Sequence, residues 1–393
     1  MKLALIGFGQ AGGKIVDKFL EYEDRTGQDV VRAPIAVNSA TVDLQGLERI
    51  PEDNRVLIGQ SRVKGHGVGA DNELGAEIAE ADLDEIQAAI DRVPVHEVDA
   101  FLVVAGLGGG TGSGGAPVLA KHLKHVYEEP VFGLGVLPAA DEGGIYTLNA
   151  ARSFRTFVRE VDNLLVFDND AWRSAGESMA EGYDAINEEI VTRFGVLFGA
   201  GEAAAGDQVA ESVVDSSEII NTLDGGGVST VGYAREPVER SDDGGGFLSR
   251  LGGGSGGSDR DAVDTTNRIT SLVRKAALGR LTLPCDIDGA ERTLLVAAGP
   301  PEHLNRKGIE RGRKWLEEET GSMEVRGGDY PLPGSDSVAG VVLFSGVHQV
   351  PRVKELQKVA IEAQDNIEEI RAESEDNLQN LVHEGAEELA PLY

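Results

Sequence analysis

Gly106 to Gly115 reads GLGGGTGSGG, seven glycines in ten residues, and directly follows the strand-like apolar run Ala100 to Ala105. Glycine tolerates positive φ and carries no Cβ, so successive backbone N–H groups can converge on one anion. The run opens a helix-like segment, Ala116 to His125. A helix N-terminus adds about half a positive charge. Thr111 and Ser113 add hydroxyl donors. Phosphate is the chemistry that suits Gly108, Gly109, Gly110, Thr111, Gly112, Ser113 and Gly114 together. The competing reading is an idle surface loop, but flexible linkers rarely part a buried strand from a helix.

Two more glycine turns sit between a strand and a helix. Lys2 to Ile6 is a short apolar strand, followed by Gly7-Phe8-Gly9-Gln10-Ala11-Gly12-Gly13-Lys14 and the amphipathic helix Ile15 to Tyr22. Alone, that turn matches a dinucleotide fingerprint, which also wants an acid for the ribose near the end of the next strand. Strand Ala33 to Val37 ends instead in Asn38-Ser39, so the nicotinamide-cofactor reading loses its main support. A Walker loop fails as well, because Ile15 stands where Ser or Thr belongs after Lys14. The third turn, Gly65-His66-Gly67-Val68-Gly69-Ala70-Asp71-Asn72, lies between strand Arg55 to Ile58 and a helix starting near Glu73. His66 reads as a solvent-facing loop residue. Three such turns would meet at the carboxyl ends of one parallel sheet, where these folds bind ligands.

Polar groups further along could complete a site. Strand Pro130 to Leu137 leads through the turn Pro138 to Gly144 into a helix, Ile145 to Arg159, and then strand Asn163 to Phe167 ends in Asp168-Asn169-Asp170. Asn169 can hydrogen-bond a purine edge or, equally, cap the next helix. Tyr183 to Gly199 is a long helix with its apolar stripe through Ile186, Ile190, Phe194, Leu197 and Phe198. Tyr183 and Asn187 are four apart and share a face. They could stack on a base and bond its edge, the stacking worth about 1–3 kcal/mol. Ordinary helix packing is the alternative. Val209 to Leu223 reads as a helix with Asp215 and Glu218 at i, i+3 spacing, a pattern that usually means solvated surface.

Composition narrows the class. With 67 acids against 36 Lys and Arg, the net charge is −31, yet the acids are spread through well-patterned segments, which argues against disorder. A surface adapted to high salt fits better, because at molar salt the Debye length is about 3 Å and self-repulsion is screened. Nucleic acid is a poor partner for such a surface. The single cysteine, Cys285, cannot form an intrachain disulfide, and no Cys/His cluster has zinc spacing. The apolar start is too short for a signal peptide, and no stretch approaches the roughly 20 residues of a transmembrane helix. The expectation is a cytoplasmic protein.

With these residues in view, the whole chain resembles the tubulin/FtsZ superfamily, and most closely its CetZ group from salt-loving archaea. GGGTGSG at Gly108 to Gly114 is similar to the superfamily's phosphate-binding signature, and Gly9-Gln10-Ala11-Gly12 to the tubulin turn beneath the phosphates. The resemblance implies a guanine nucleotide, GTP or GDP, with Mg²⁺, for which no direct protein ligand is assigned. It places Gln10, Ala11, Gly12, Gly13, Lys14, Gly69 and Ala70 beside the phosphates, Glu142 at the sugar, and Asn169, Tyr183 and Asn187 at the base. The segment AESVVDSSEI resembles the loop and helix start that reach into a neighbouring subunit, so Glu218 and Asp215 become catalytic in trans. Two departures are visible: Tyr146 stands where bacterial FtsZ has Arg, and Val213 where relatives usually have Asn.

The implied fold is α/β: a Rossmann-like parallel-sheet GTPase domain, a long central helix and a smaller α+β second domain. Boundaries are expected at 1–182 for the GTP-binding domain, 183–207 for the central helix and connection, and 208–350 for the second domain with a flexible loop at 236–262. A C-terminal helix over 351–382 and an acidic tail over 383–393 follow. The expected activity is assembly-dependent GTP hydrolysis by a head-to-tail polymer, with lateral association through the loop and a role in cell shape or motility. An FtsZ-like division protein, an NAD-dependent oxidoreductase and a non-polymerising nucleotide-binding regulator are the alternatives.

Overall fold

The computed structural model describes residues 1–173, 179–202, 213–238 and 257–363. In chain order the first half contains β1 (Leu3–Phe8), α1 (Gly9–Thr26), β2 (Val31–Asn38), α2 (Thr41–Gln45), β3 (Arg55–Leu57), α3 (Gln60–Val63), α4 (Asn72–Ala81), α5 (Leu83–Ile90), β4 (Ala100–Gly106) and α6 (Thr111–Val126). Next come β5 (Val131–Leu137), α7 (Gly144–Glu160), β6 (Asn163–Asp168), α8 (Asn169–Trp172) and α9 (Met179–Ala200). The remainder supplies α10 (Ser216–Leu223), β7 (Val228–Pro237), α11 (Gly257–Leu278), β8 (Arg292–Gly299), α12 (Arg306–Thr320), β9 (Glu324–Pro331) and β10 (Ser337–Ser345). Residues 351–363 are helical.

Among the described residues all ten strands join one sheet in the order β3-β2-β1-β4-β5-β6-β7-β10-β8-β9. From β3 to β6 every pairing is parallel. The next seam is thin: β6 and β7 pair only at Leu164 with Val228 and Leu165 with Ser229. Beyond it β10 runs antiparallel to β7 and β8, while β8 and β9 are parallel, so the second half is mixed rather than purely antiparallel.

Parallel strands buried on both faces read as continuous apolar runs, and alternate residues serve opposite cores. On β4, Phe101 and Val103 pack with Ile78, Leu119 and Phe157 on one side, while Leu102 and Val104 join Phe19, Phe194 and Phe198 on the other. Thus α4–α7, α11 and α12 cover one face, and α1, α9 and α10 the other.

Several elements differ from the sequence reading for identifiable reasons. Both main glycine turns are already helical: α1 begins at Gly9 and α6 at Thr111, because the bare backbone lets each helix start seat against a strand or helix. A Cβ on Gly12 would meet the Val104 carbonyl at 2.1 Å, and one on Gly114 would meet the Asn72 carbonyl at 2.2 Å. Of the helix expected over Val209 to Leu223, residues 209–212 lie outside the described residues, and α10 starts at Ser216 because Asp215 is its N-cap and accepts from Glu218 N at 2.9 Å. Val213 instead bridges Asp329. Strand β9 runs to Pro331 through Gly327, where a Cβ would meet the Leu295 carbonyl at 2.8 Å. Of the loop expected over 236–262, β7 and α11 claim both ends, and 239–256 lie outside the described residues. The tail 383–393 and the helix beyond 363 lie outside them too.

Candidate functional site

A cleft of about 550 Å³ opens at the carboxyl ends of β1, β2, β4, β5 and β6. All three glycine turns reach it, contributing Gln10, Ala11 and Lys14 from the first, Gly69 and Ala70 from the third, and Gly108, Gly109, Gly110, Thr111 and Gly112 from the second. Ala70 holds φ +65° directly after Gly69, which with Gly67 is also at positive φ. A non-glycine residue in that region costs about 1 kcal/mol or more and persists where surrounding bonds impose it. Here the bond comes from Asn149 of α7, whose Nδ2 donates to the Ala70 carbonyl at 2.7 Å and to the Gly108 carbonyl at 3.1 Å. One buried amide thus clamps two phosphate-type turns together.

Four residues expected at the phosphates stand behind the wall instead. Gly12 and Gly114 serve the close approaches described above, and Gly13 faces Leu47 across ordinary contact distance. Ser113 is buried, and its hydroxyl donates back to the Gly109 carbonyl, one helical turn earlier, instead of into the cleft. Thr111 keeps its place on the lining, with its hydroxyl against Ser39 Oγ at 2.7 Å. Lys14 lies on the exposed rim.

At the other end of the cleft, Asn169, Tyr183, Asn187 and Glu142 converge with Ile186. Asn169 is only 6 % exposed, and its Oδ1 has no hydrogen-bond partner. A buried amide oxygen left unpaired costs about 1–3 kcal/mol, which a ligand donor would recover. Glu142 Oε1 accepts from Ala139 N at 2.7 Å, and the Tyr183 phenol donates to the Glu142 carboxylate. Burial and the Glu142 charge push the Tyr183 phenol up to about 12, so it stays a neutral donor.

The sequence reading passed over Asp43 of α2. Its two oxygens accept from Gln10 Nε2 at 3.0 Å and from buried Asn38 Nδ2 at 3.1 Å, which places a half-buried carboxylate beside the first glycine turn. The Asn38-Ser39 strand end that weakened the dinucleotide reading was the available signal. His66 is exposed as expected, yet it lies on the lining. Among the described residues no cluster of three or more His, Cys, Asp or Glu could hold a metal ion on protein ligands alone. No described helix is long and apolar enough to cross a membrane.

Asp215 and Glu218 do not line the cleft. They start α10, whose Ser216 lies against Gly201 and Met1 at the amino ends of the strands, the pole opposite the cleft. Ser217 Oγ and the amides of Ser217 and Glu218 hold the Asp215 carboxyl below its ordinary range. Burial, then the Asp215 charge, raises Glu218 above its own. Two neighbouring acids are therefore tuned apart, one fixed as a cap and the other the better base.

Comparison with known proteins agrees along the chain. Residues 2–177 match the tubulin/FtsZ family GTPase domain, and residues 176–362 match the C-terminal domain of tubulin-like CetZ. The tubulin-like protein CetZ1 of Haloferax volcanii is 78% identical over 373 residues, 94% of each chain. Among solved structures, the GDP-bound CetZ1 monomer from the same organism superposes with a TM-score of 0.83 at 72% identity, covering 93% of this chain and 100% of that one. The GTPγS-bound CetZ2 protofilament gives 0.82 at 48% identity, covering 94% and 100%. A cleft built from three glycine turns, an unpaired amide oxygen at its far end and these matches together lead to one statement: the chain belongs to the tubulin-like CetZ family, with a tubulin/FtsZ GTPase domain as its N-terminal half.

Proposed function

We propose that this protein binds GTP in the cleft, polymerises head to tail, and hydrolyses GTP when Glu218 of one subunit, assisted by Asp215, reaches the nucleotide of the next. The observation that carries this reading is polarity. The cleft and the paired acids sit at opposite ends of the same strands, so neither completes the other within one chain. A heterologous contact that repeats without closing would bring them together. The related CetZ2 protofilament supports that geometry.

In this reading the helix starts of α1 and α6 and the turn at Gly69-Ala70 donate N–H groups to the phosphates. Asn169 and Asn187 pair with the guanine edge, since an amide offers both a donor and an acceptor. Mg²⁺, when bound, offsets the phosphate charge, and Asp43 is suited to accept from its waters. Glu218 orients a water for in-line attack on the γ-phosphorus and accepts its proton as the bond to the bridging oxygen of GDP breaks. We assign the GTP-binding domain to 1–182, completed at the base by Tyr183 and Asn187 of the central helix, the trans-acting acids to 208–350, and a cytoplasmic role in cell shape or motility.

Hydrolysis per subunit should rise with protein concentration, and Glu218→Ala should keep GTP binding, lose most hydrolysis and yield longer-lived filaments. Sedimentation and phosphate release measured side by side check this. Parental hydrolysis in Glu218→Ala under assembly conditions would end the catalytic assignment.

A further inference from the structure

Arg352 is a buried cation that the reaction above does not use. It is the second residue of the helix over 351–363, 9 % exposed, and it reaches two strand ends at once. Its Nη2 donates to the Pro138 carbonyl at 2.8 Å, and Nε faces Asp168 Oδ1 at 3.5 Å as an ion pair rather than a hydrogen bond. Nη1 lies 3.1 Å from Glu355 Oε2. Pro138 follows β5 and lines the cleft. Asp168 ends β6, caps α8 through Asp170 N at 3.2 Å, and immediately precedes Asn169.

Further bonds join these two walls. Asp170 Oδ1 accepts from Ala140 N at 2.8 Å, and Arg173 pairs with Asp141. Ala139 N and the Tyr183 phenol both donate to Glu142. A displacement of Asp168 or Pro138 would therefore be felt by Asn169 on one wall and by Glu142 on the other.

We propose that Arg352 is a positioning residue for base recognition: by fixing the ends of β5 and β6 from behind, it sets the spacing at which the cleft reads a purine, so seating of the C-terminal helix governs guanine selectivity. The inference rests on the GTP reading of the cleft. A guanidinium suits the task because its planar fork hydrogen-bonds the Pro138 carbonyl while its charge faces the Asp168 carboxylate, whereas an ammonium is a single point charge. Without it, Asp168 would be a buried carboxylate with no countercharge, and such groups move or take up a proton.

The test is equilibrium binding of GTP, ITP and GDP to the full chain, below the assembly concentration, in wild type, Arg352→Gln and Arg352→Lys. Inosine lacks the 2-amino group, so the GTP/ITP ratio reports the base wall, while the GTP/GDP ratio reports the glycine turns. Arg352→Gln should shrink the GTP/ITP ratio by about threefold or more, the worth of one ordinary hydrogen bond, and leave GTP/GDP unchanged. Arg352→Lys should recover part of the loss. An unchanged GTP/ITP ratio in Arg352→Gln, or an equal fall in both ratios, overturns the positioning role. Should Arg352→Gln fail to fold, Arg352→Lys decides alone: a ratio below wild type supports the proposal, and a wild-type ratio overturns it. A wild type that does not prefer GTP over ITP overturns the nucleotide reading first, which separates the two failures.

Discussion

Asn169 and Asn187 look interchangeable in the sequence, but the fold gives them different tasks. Asn169 is buried at the end of β6 with a free Oδ1, whereas Asn187 is half-buried on α9, one turn beyond Tyr183. An orphaned buried acceptor next to an amide that can adjust is a site that rewards a purine edge presenting adjacent N–H donors. Guanine has that edge, and adenine does not. Asn187→Ala should therefore weaken GTP by about tenfold, roughly 1.4 kcal/mol, while leaving ATP binding nearly as weak as before. Competition binding with both nucleotides reads the ratio directly, and equal wild-type affinity for GTP and ATP would sink the assignment.

The four-residue helix α8 shows what an element can owe to one side chain. Its N-cap Asp168 is buried, and burial pushes that carboxyl from 3.8 up to about 6 despite the Arg352 guanidinium and the Asp170 amide; Asp170 and Glu355 raise it further. Between pH 4 and pH 6 the folded chain keeps a proton that the unfolded chain has lost. Stability from this group therefore falls as pH rises through that window, by on the order of 3 kcal/mol in total. Asp168→Asn should flatten that part of the stability profile. Denaturant midpoints at pH 4, 5, 6 and 7 measure it, and parallel profiles for the two proteins would show that Asp168 does not titrate there. At the other pole, α10 behaves differently, because its Asp215 cap is exposed and its pKa falls.

At the scale of the molecule, the sheet is a lever with a ligand end and an acid end, and α9 runs beside it. The central helix buries Ile190, Phe194 and Phe198 against the sheet, while its first turns carry Tyr183 and Asn187 to the cleft. Arg193 stacks 4.1 Å over Trp172 and 5.2 Å from the Tyr233 ring, so the same helix grips both α8 and β7. The whole chain also carries a charge of −31. Self-repulsion of that size opposes the compact state at low ionic strength and is screened at about 1 M salt, where the Debye length is near 3 Å. Thermal midpoints should climb steadily from 0.1 M to 2 M KCl as an order-of-magnitude range set by that screening. A midpoint independent of salt would remove the halophilic reading of the composition.

The sequence by itself determined the parts that depend on local chemistry. Three glycine turns between strand and helix, the Tyr183-Asn187 pair at one-turn spacing and the Asp215-Glu218 pair were legible because short-range periodicity and glycine content are properties of neighbouring residues. The sequence left four things to the tertiary structure. It did not separate Gly110, on the cleft, from Gly12 and Gly114, whose missing Cβ atoms make room for Val104 and Asn72. It did not show that Ser113 turns away, or that Asp215 caps α10. It gave no sign of Asn149 or Arg352, and only the polar strand end Asn38-Ser39 hinted at Asp43, since each acts on partners far along the chain: Asn149 on Ala70, Asp43 on Gln10, and Arg352 on Pro138. Long-range hydrogen bonds have no sequence period, so only the folded chain decides which polar side chains meet.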